Sequence, residues 1–206
     1  MTKADPPIDR RSRRKAQVRQ RLLASARQLI ADGGVTGLRI GDVTALADVG
    51  FGTFYNHFES KDELIKAVAT EALRTLAESV GSAALEADDP AVAAAESYRR
   101  FLLFASDEPE IARVLVALDR HGDAFETAVR PWADRLLQRG CTTGRFDIAD
   151  RELCLISIAS SALSAISAIL AGRIPAGEHT AAPGVEMMLR AFGVDFDSAR
   201  DIAYQH

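Results

Sequence analysis

Cysteine, tryptophan and recognisable catalytic motifs are scarce in this chain. Its 206 residues include two cysteines, Cys141 and Cys154, which lie 13 positions apart, and one tryptophan. Two thiols do not make a disulfide scaffold, and no Cys-x-x-C pair or His spacing points to a zinc or redox centre. They are read as ordinary thiols of a cytoplasmic protein, and neither a metal nor a cofactor is expected. A Gly-x-Ser-x-Gly elbow and a Gly-rich phosphate loop are also missing, and Cys141, Cys154, His121 and His179 stand at no known catalytic spacing. An enzyme is therefore not expected. Ser12-Arg13-Arg14 looks like the opening of a twin-arginine leader, but Lys15 to Arg21 follows where such a leader has an apolar run, so export is not expected either.

Aromatic residues make up 6% of the chain, whereas alanine supplies 36 residues. Alanine loses no side-chain entropy in a helix, so the bias predicts an all-α protein. The 48% hydrophobic content is enough for a core and excludes general disorder. The net charge of -4 seems to exclude a nucleic-acid partner, but it is unevenly spread. Residues 1–61 carry 11 basic and 6 acidic side chains, leaving 14 basic and 23 acidic for the rest, so a +5 segment precedes a -9 one.

The basic segment has helical periodicity. Arg10 to Arg27 contains eight basic residues and no acid, and Val18, Leu22, Leu23, Ala26, Leu29 and Ile30 repeat on one face of a first helix that Gly33-Gly34 should close. A short second helix is expected over about 40–47, then a turn at Asp48-Val49-Gly50, then a third short helix with Phe54 and Phe58 at i, i+4. Ser60-Lys61-Asp62-Glu63 matches a capping box, with the Glu63 carboxylate reaching back to Ser60, and opens a fourth helix that buries Leu64, Val68, Ala72, Leu76 and Val80. Further helices are expected over 90–106, 108–118, 119–139, 150–172 and 183–192, with prolines 90, 109 and 183 at their starts.

Two short helices joined by a tight turn behind a basic helix are the parts of a helix-turn-helix DNA reader. The run from Ile40 to Leu64, with Gly52, Thr53, Tyr55, Phe58, Ser60, Lys61 and Leu64 in register, resembles the signature of TetR-family transcriptional regulators. The resemblance covers about 16–77. It implies a flexible basic arm over 1–15, a DNA-binding domain over 16–76 with its helix-turn-helix at about 39–58, and a helical effector-binding and dimerisation domain over 77–206. Asp48 stands where the family usually has glycine, and Asp tolerates a left-handed backbone. Gly50 and Arg39 stand where a hydroxyl cap is usual; Gly can cap, whereas Arg39 makes a weaker start. The implied DNA contacts are phosphate contacts from Thr53, Tyr55 and Lys61, a bare backbone approach at Gly52, and base reading by Phe51, Asn56 and His57. Arg39 and Gly41, at the start of the second helix, complete the DNA-facing set. The Arg10–Arg21 cluster is expected to bind phosphates as well, which makes binding salt dependent.

The larger part is read more coarsely. Leu153 to Ala171 is 19 residues without a charge, the length of a short membrane span, but its five serines and many alanines favour a soluble helix buried from two sides. The expected homodimer face comprises Ile156, Ser160, Leu163, Ser164 and Ser167, with Val185, Met188, Leu189 and Phe192 from a second helix. Tyr98, Phe101, Phe104, Leu115, Trp132 and Leu136 are the expected lining of a pocket for a small hydrophobic effector. The function that results is a repressor released by that effector from a palindromic double-stranded operator, with no membrane partner. The alternatives are an activator or a regulator answering to a protein partner; those from other classes are a helical enzyme and a membrane-tethered DNA binder.

Overall fold

The protein is described by a computed structural model covering residues 10–119 and 129–205. Every described element is a helix: α1 (Arg10–Gly37), α2 (Ile40–Leu46), α3 (Phe51–Tyr55), α4 (Lys61–Glu86), α5 (Pro90–Asp107), α6 (Pro109–Asp119), α7 (Arg130–Thr142), α8 (Arg151–Leu170), α9 (Glu178–Ala191) and α10 (Phe196–Tyr204). They form two compact units, Met1–Val68 and Ala69–His206, and α4 contributes to both. Residues 1–9 of the expected arm, His121 and part of the expected 119–139 helix lie outside the described residues; from Arg10 onward the arm is helix.

In the first unit, helical spacing places Leu22, Leu23, Ala26 and Ile30 of α1 on one face, and these are buried together with Val43, Phe54, Phe58 and Leu64. Gly34 breaks α1 as expected, with φ 72°, but one more turn follows it because Val35 and Leu38 still have apolar surface to bury. The Ser60 hydroxyl caps the Glu63 amide at 3.1 Å, while the Glu63 carboxylate accepts from the amide of Glu59, one residue beyond the expected Ser60.

In the second unit, α5 is the central helix and touches α6, α7, α8, α9 and α10. Its start is the expected one, with Pro90 in the first turn and the Asp89 carboxylate accepting from Ala91 N at 2.8 Å. Gly184 lets α9 lie close to α5, since a Cβ there would come within 2.7 Å of the Leu102 side chain. α9 begins at Glu178, upstream of Pro183, because Ala181 and Ala182 are buried and draw the helix back; Pro183 sits on its exposed side. α10 was not expected, although Asp195 accepting from Ser198 N at 3.0 Å is a cap that its sequence advertises.

Candidate DNA-reading head and effector cavity

The turn between α2 and α3 carries the geometry of a helix-turn-helix. Asp48 takes φ 49°, Val49 N bonds Thr44 O at 3.0 Å and Asp48 N bonds Ala45 O at 3.1 Å, which together close α2 by a Schellman-type stop. A left-handed residue that is not glycine is costly. Arg21 of α1 braces it: its guanidinium donates to Ala47 O and, at 2.7 Å, to Asp48 O, and lies 3.4 Å from the Asp48 carboxylate. The carboxylate is fully exposed, so the ion pair itself contributes little, and the two carbonyl bonds hold the turn. Arg21→Met is accordingly expected to destabilise this unit by about 1–3 kcal/mol, read from its thermal unfolding; an unchanged melt would show the brace to be idle.

Beyond the turn, Phe54 and Phe58 face inward at 0% and 1% exposure, as their spacing predicted. The opposite side of α3 therefore faces solvent, presenting Phe51 at 55% and Tyr55 at 52% together with Gly52 and Asn56. A Cβ on Gly52 would touch nothing within 4 Å, so the protein itself does not require glycine there. Arg39 and Gly41 are exposed at the start of α2, and Arg39 makes no side-chain cap. Thr53 is half-buried on a groove shared with Arg14, Gln17 and Asp48. His57 is half-buried too. Burial, and then the charges of Lys15 and Arg19, hold its pKa below the usual 6.5, so the ring is neutral at pH 7.

The basic cluster divides. Arg10, Arg11, Arg13, Arg14 and Lys15 are exposed on the first turns of α1, whereas Arg19 lies over the Phe58 ring at 5.0 Å and Arg21 serves the turn. Lys61 also has a partner within the unit. Its Nζ donates to Leu38 O, just past the end of α1, at 3.1 Å, and the residue is half-buried. Leu46, at 47% exposure, is an apolar side chain of this face that sequence reasoning passed over.

The second unit holds an apolar, partly open cavity of about 80 Å³ between α5, α7, α8 and α9. Tyr98, Phe101, Trp132 and Leu136 line it as expected. Phe104 and Leu115 do not: both are buried in the core outside the cavity wall, because α5 shows the cavity Ala94, Ser97, Tyr98 and Phe101, and Phe104 falls a turn beyond that face. Burial raises the pKa of Tyr98, whose hydroxyl meets the Ser161 side chain. The wall also takes Met188 and Phe192, two residues expected at a dimer face.

Known proteins place these two units. Residues 22–68 match the family model described as bacterial regulatory proteins, tetR family, and residues 89–205 match the tetracyclin repressor-like C-terminal domain. The chain belongs to the TetR family of transcriptional regulators. It is 32% identical to RolR, whose crystal structure was solved in complex with resorcinol, with a TM-score of 0.70, covering 95% of this chain and 97% of that one. The HTH-type transcriptional repressor DhaR of Mycobacterium sp. (strain GP1) is 36% identical over 81 residues, which span 39% of this chain and 41% of that repressor. A TetR-family regulator of Marinobacter aquaeolei VT8 shares the fold at 16% identity and a TM-score of 0.73, covering 87% of this chain and 97% of the other.

Within this TetR-family chain the expected dimer residues separate into two groups. Ile156 is 49% exposed, Ser160 and Ser164 are exposed, and Leu163 and Ser167 are half-buried on α8. Val185, Met188, Leu189 and Phe192, by contrast, are at most 4% exposed within their own protomer. Their i, i+3, i+4, i+7 stripe is the one that the protomer core takes first. The residues α9 shows to solvent include Pro183, Arg190 and Met187, the last at 54% exposure. By length and composition α8 is apolar enough to cross a membrane, with a mean hydropathy of 2.2 and 22% of that window buried.

Proposed function

We propose that this TetR-family chain is a cytoplasmic homodimeric repressor, released from a palindromic operator when a small, largely apolar effector fills the cavity of its C-terminal unit. The carrying observation is the apolar cavity in the same chain as an exposed helix-turn-helix that follows a basic, exposed start of α1. DhaR, named a repressor, and RolR, solved with resorcinol, support that reading. On the operator, the Thr53 and Tyr55 hydroxyls and the exposed cations from Arg10 to Lys15 take phosphates, Gly52 admits the backbone, and Phe51, Asn56 and neutral His57 meet base edges, with Arg39 and Gly41 at the flank. Lys61 contributes less, since its ammonium is already bonded to Leu38 O. The exposed face of α8, with Ile156, Leu163, Ser160, Ser164 and Ser167, is covered by a second copy; its small residues suit close helix approach, and alanine and serine add little to lipid insertion. Two-fold symmetry then sets the two heads on a palindrome. Burial, and then the neighbouring Cys141, push the pKa of the Cys154 thiol up.

Release requires the effector to bind the DNA-incompetent state better, and α4, which contributes to both units, is the element to transmit that preference. The test begins with selection of bound genomic fragments. Saturating effector should then lower operator affinity by about 5–150-fold, measured by fluorescence anisotropy; equal affinity with and without it overturns the reading. Sedimentation should show a soluble dimer, and recovery in the membrane pellet would assign the α8 face to lipid instead.

A further inference from the structure

We infer that the cavity takes a neutral, single-ring hydroxyarene, and that Ser97 and Trp132 are the groups that distinguish its hydroxyls from bare hydrocarbon; this rests on the reading of the cavity as an effector site. Size sets the first limit. About 80 Å³ is roughly half of the ~150 Å³ cavity that holds benzene, so a single ring is the ligand size that matches it, after small side-chain adjustments.

Polarity sets the second limit. Among the described residues the wall is almost wholly apolar, yet Ser97 Oγ and Trp132 Nε1, on residues that line it, are buried without a hydrogen-bond partner. Ser97 is 3% exposed and lies within α5, where a serine hydroxyl ordinarily folds back onto the carbonyl a turn earlier; here it does not. An indole N–H only donates, so Trp132 requires an acceptor, while Ser97 takes either partner. The third polar group, the Tyr98 hydroxyl, is already engaged with Ser161. A phenolic hydroxyl both donates and accepts, so a ring carrying one or two of them satisfies Trp132 and Ser97 while its faces pack on Phe101, Leu136 and Phe192.

Charge sets the third. Among the described residues, no Lys, Arg, His, Asp or Glu lines the cavity, so a carboxylate entering it would lose its water with no counter-charge from them to replace it. A phenol, with a pKa near that of tyrosine at about 10, enters uncharged.

Trp132 is the sole tryptophan, so its fluorescence reports occupancy directly in the full-length protein without DNA. Titration with phenol or resorcinol should quench it saturably, toluene should bind at least about tenfold more weakly, and benzoate should not bind. Ser97→Ala should weaken phenol and resorcinol by about five- to tenfold and leave toluene unchanged. Its melting temperature should not fall, because the substitution removes an unsatisfied hydroxyl. Toluene binding as tightly as phenol, benzoate binding more tightly, or Ser97→Ala leaving hydroxyarene affinity intact would each overturn the inference. Quenching by resorcinol with operator affinity unchanged overturns the release reading and leaves this one standing; release by benzoate alone does the reverse.

Discussion

Phe54→Ala is expected to abolish operator binding while leaving the C-terminal unit intact. α3 has five residues, far below the length at which a helix persists alone, so it holds its shape only through what it buries. Phe54 is that anchor. It is 0% exposed, meets Tyr55 edge-on at a centroid distance of 5.2 Å and lies 5.8 Å from the Phe58 ring. Truncating a buried phenylalanine costs about 3–5 kcal/mol, and a unit as small as Met1–Val68 has little more than about 5 kcal/mol to lose. Operator affinity should fall by more than about 100-fold, whereas the oligomeric state, measured by sedimentation, and the Trp132 signal should be those of the parent protein. Near-native affinity in the variant would show that α3 is held by something other than this aromatic anchor.

The head was largely legible because its signals are local. Phe54 and Phe58 at i, i+4, the Ser60 cap and the tolerance of Asp48 for a left-handed turn depend on neighbours within a few positions, and the structure repeats all three. Long cationic side chains were not legible in the same way. Arg21 and Lys61 both looked like phosphate ligands, but each finds carbonyls at a helix end more than 20 positions away, an encounter that tertiary packing decides. The dimer stripe failed for a related reason. The most apolar face of α9 looked like an interface, yet burial within one chain claims such a face before a partner can, so Met187 points outward and Met188 inward. Ser97 was missed because a serine in an alanine-rich helix reads as a spacer until the emptiness beside it is seen.

Arg99→Ala should be the most damaging single change in the C-terminal unit. Arg99 is 7% exposed in the middle of α5, and its guanidinium pairs with Glu178 at the start of α9 and donates to Ala203 O in the last turn of α10 at 2.7 Å. One side chain thus ties the central helix to the beginning of one neighbour and the end of another. Alanine would remove both bonds, strip the Ala203 carbonyl of that donor and leave a void the size of the arginine stem, for a cost of about 3–5 kcal/mol. That corresponds to a melting temperature lower by about 10 °C, checked by chemical and thermal unfolding followed through Trp132. Arg99→Met tests the partition. It refills the void, and Glu178, whose side chain is 45% exposed, returns to water at little cost, so the loss should shrink to about 1–3 kcal/mol, with the Ala203 bond left unmade. Methionine as harmful as alanine would mean that the guanidinium's polar bonds, not the packing of its stem, carry the effect. Because α9 also carries Met188 and Phe192 on the cavity wall, loosening it at Glu178 should weaken ligand binding in both variants, and more in alanine than in methionine.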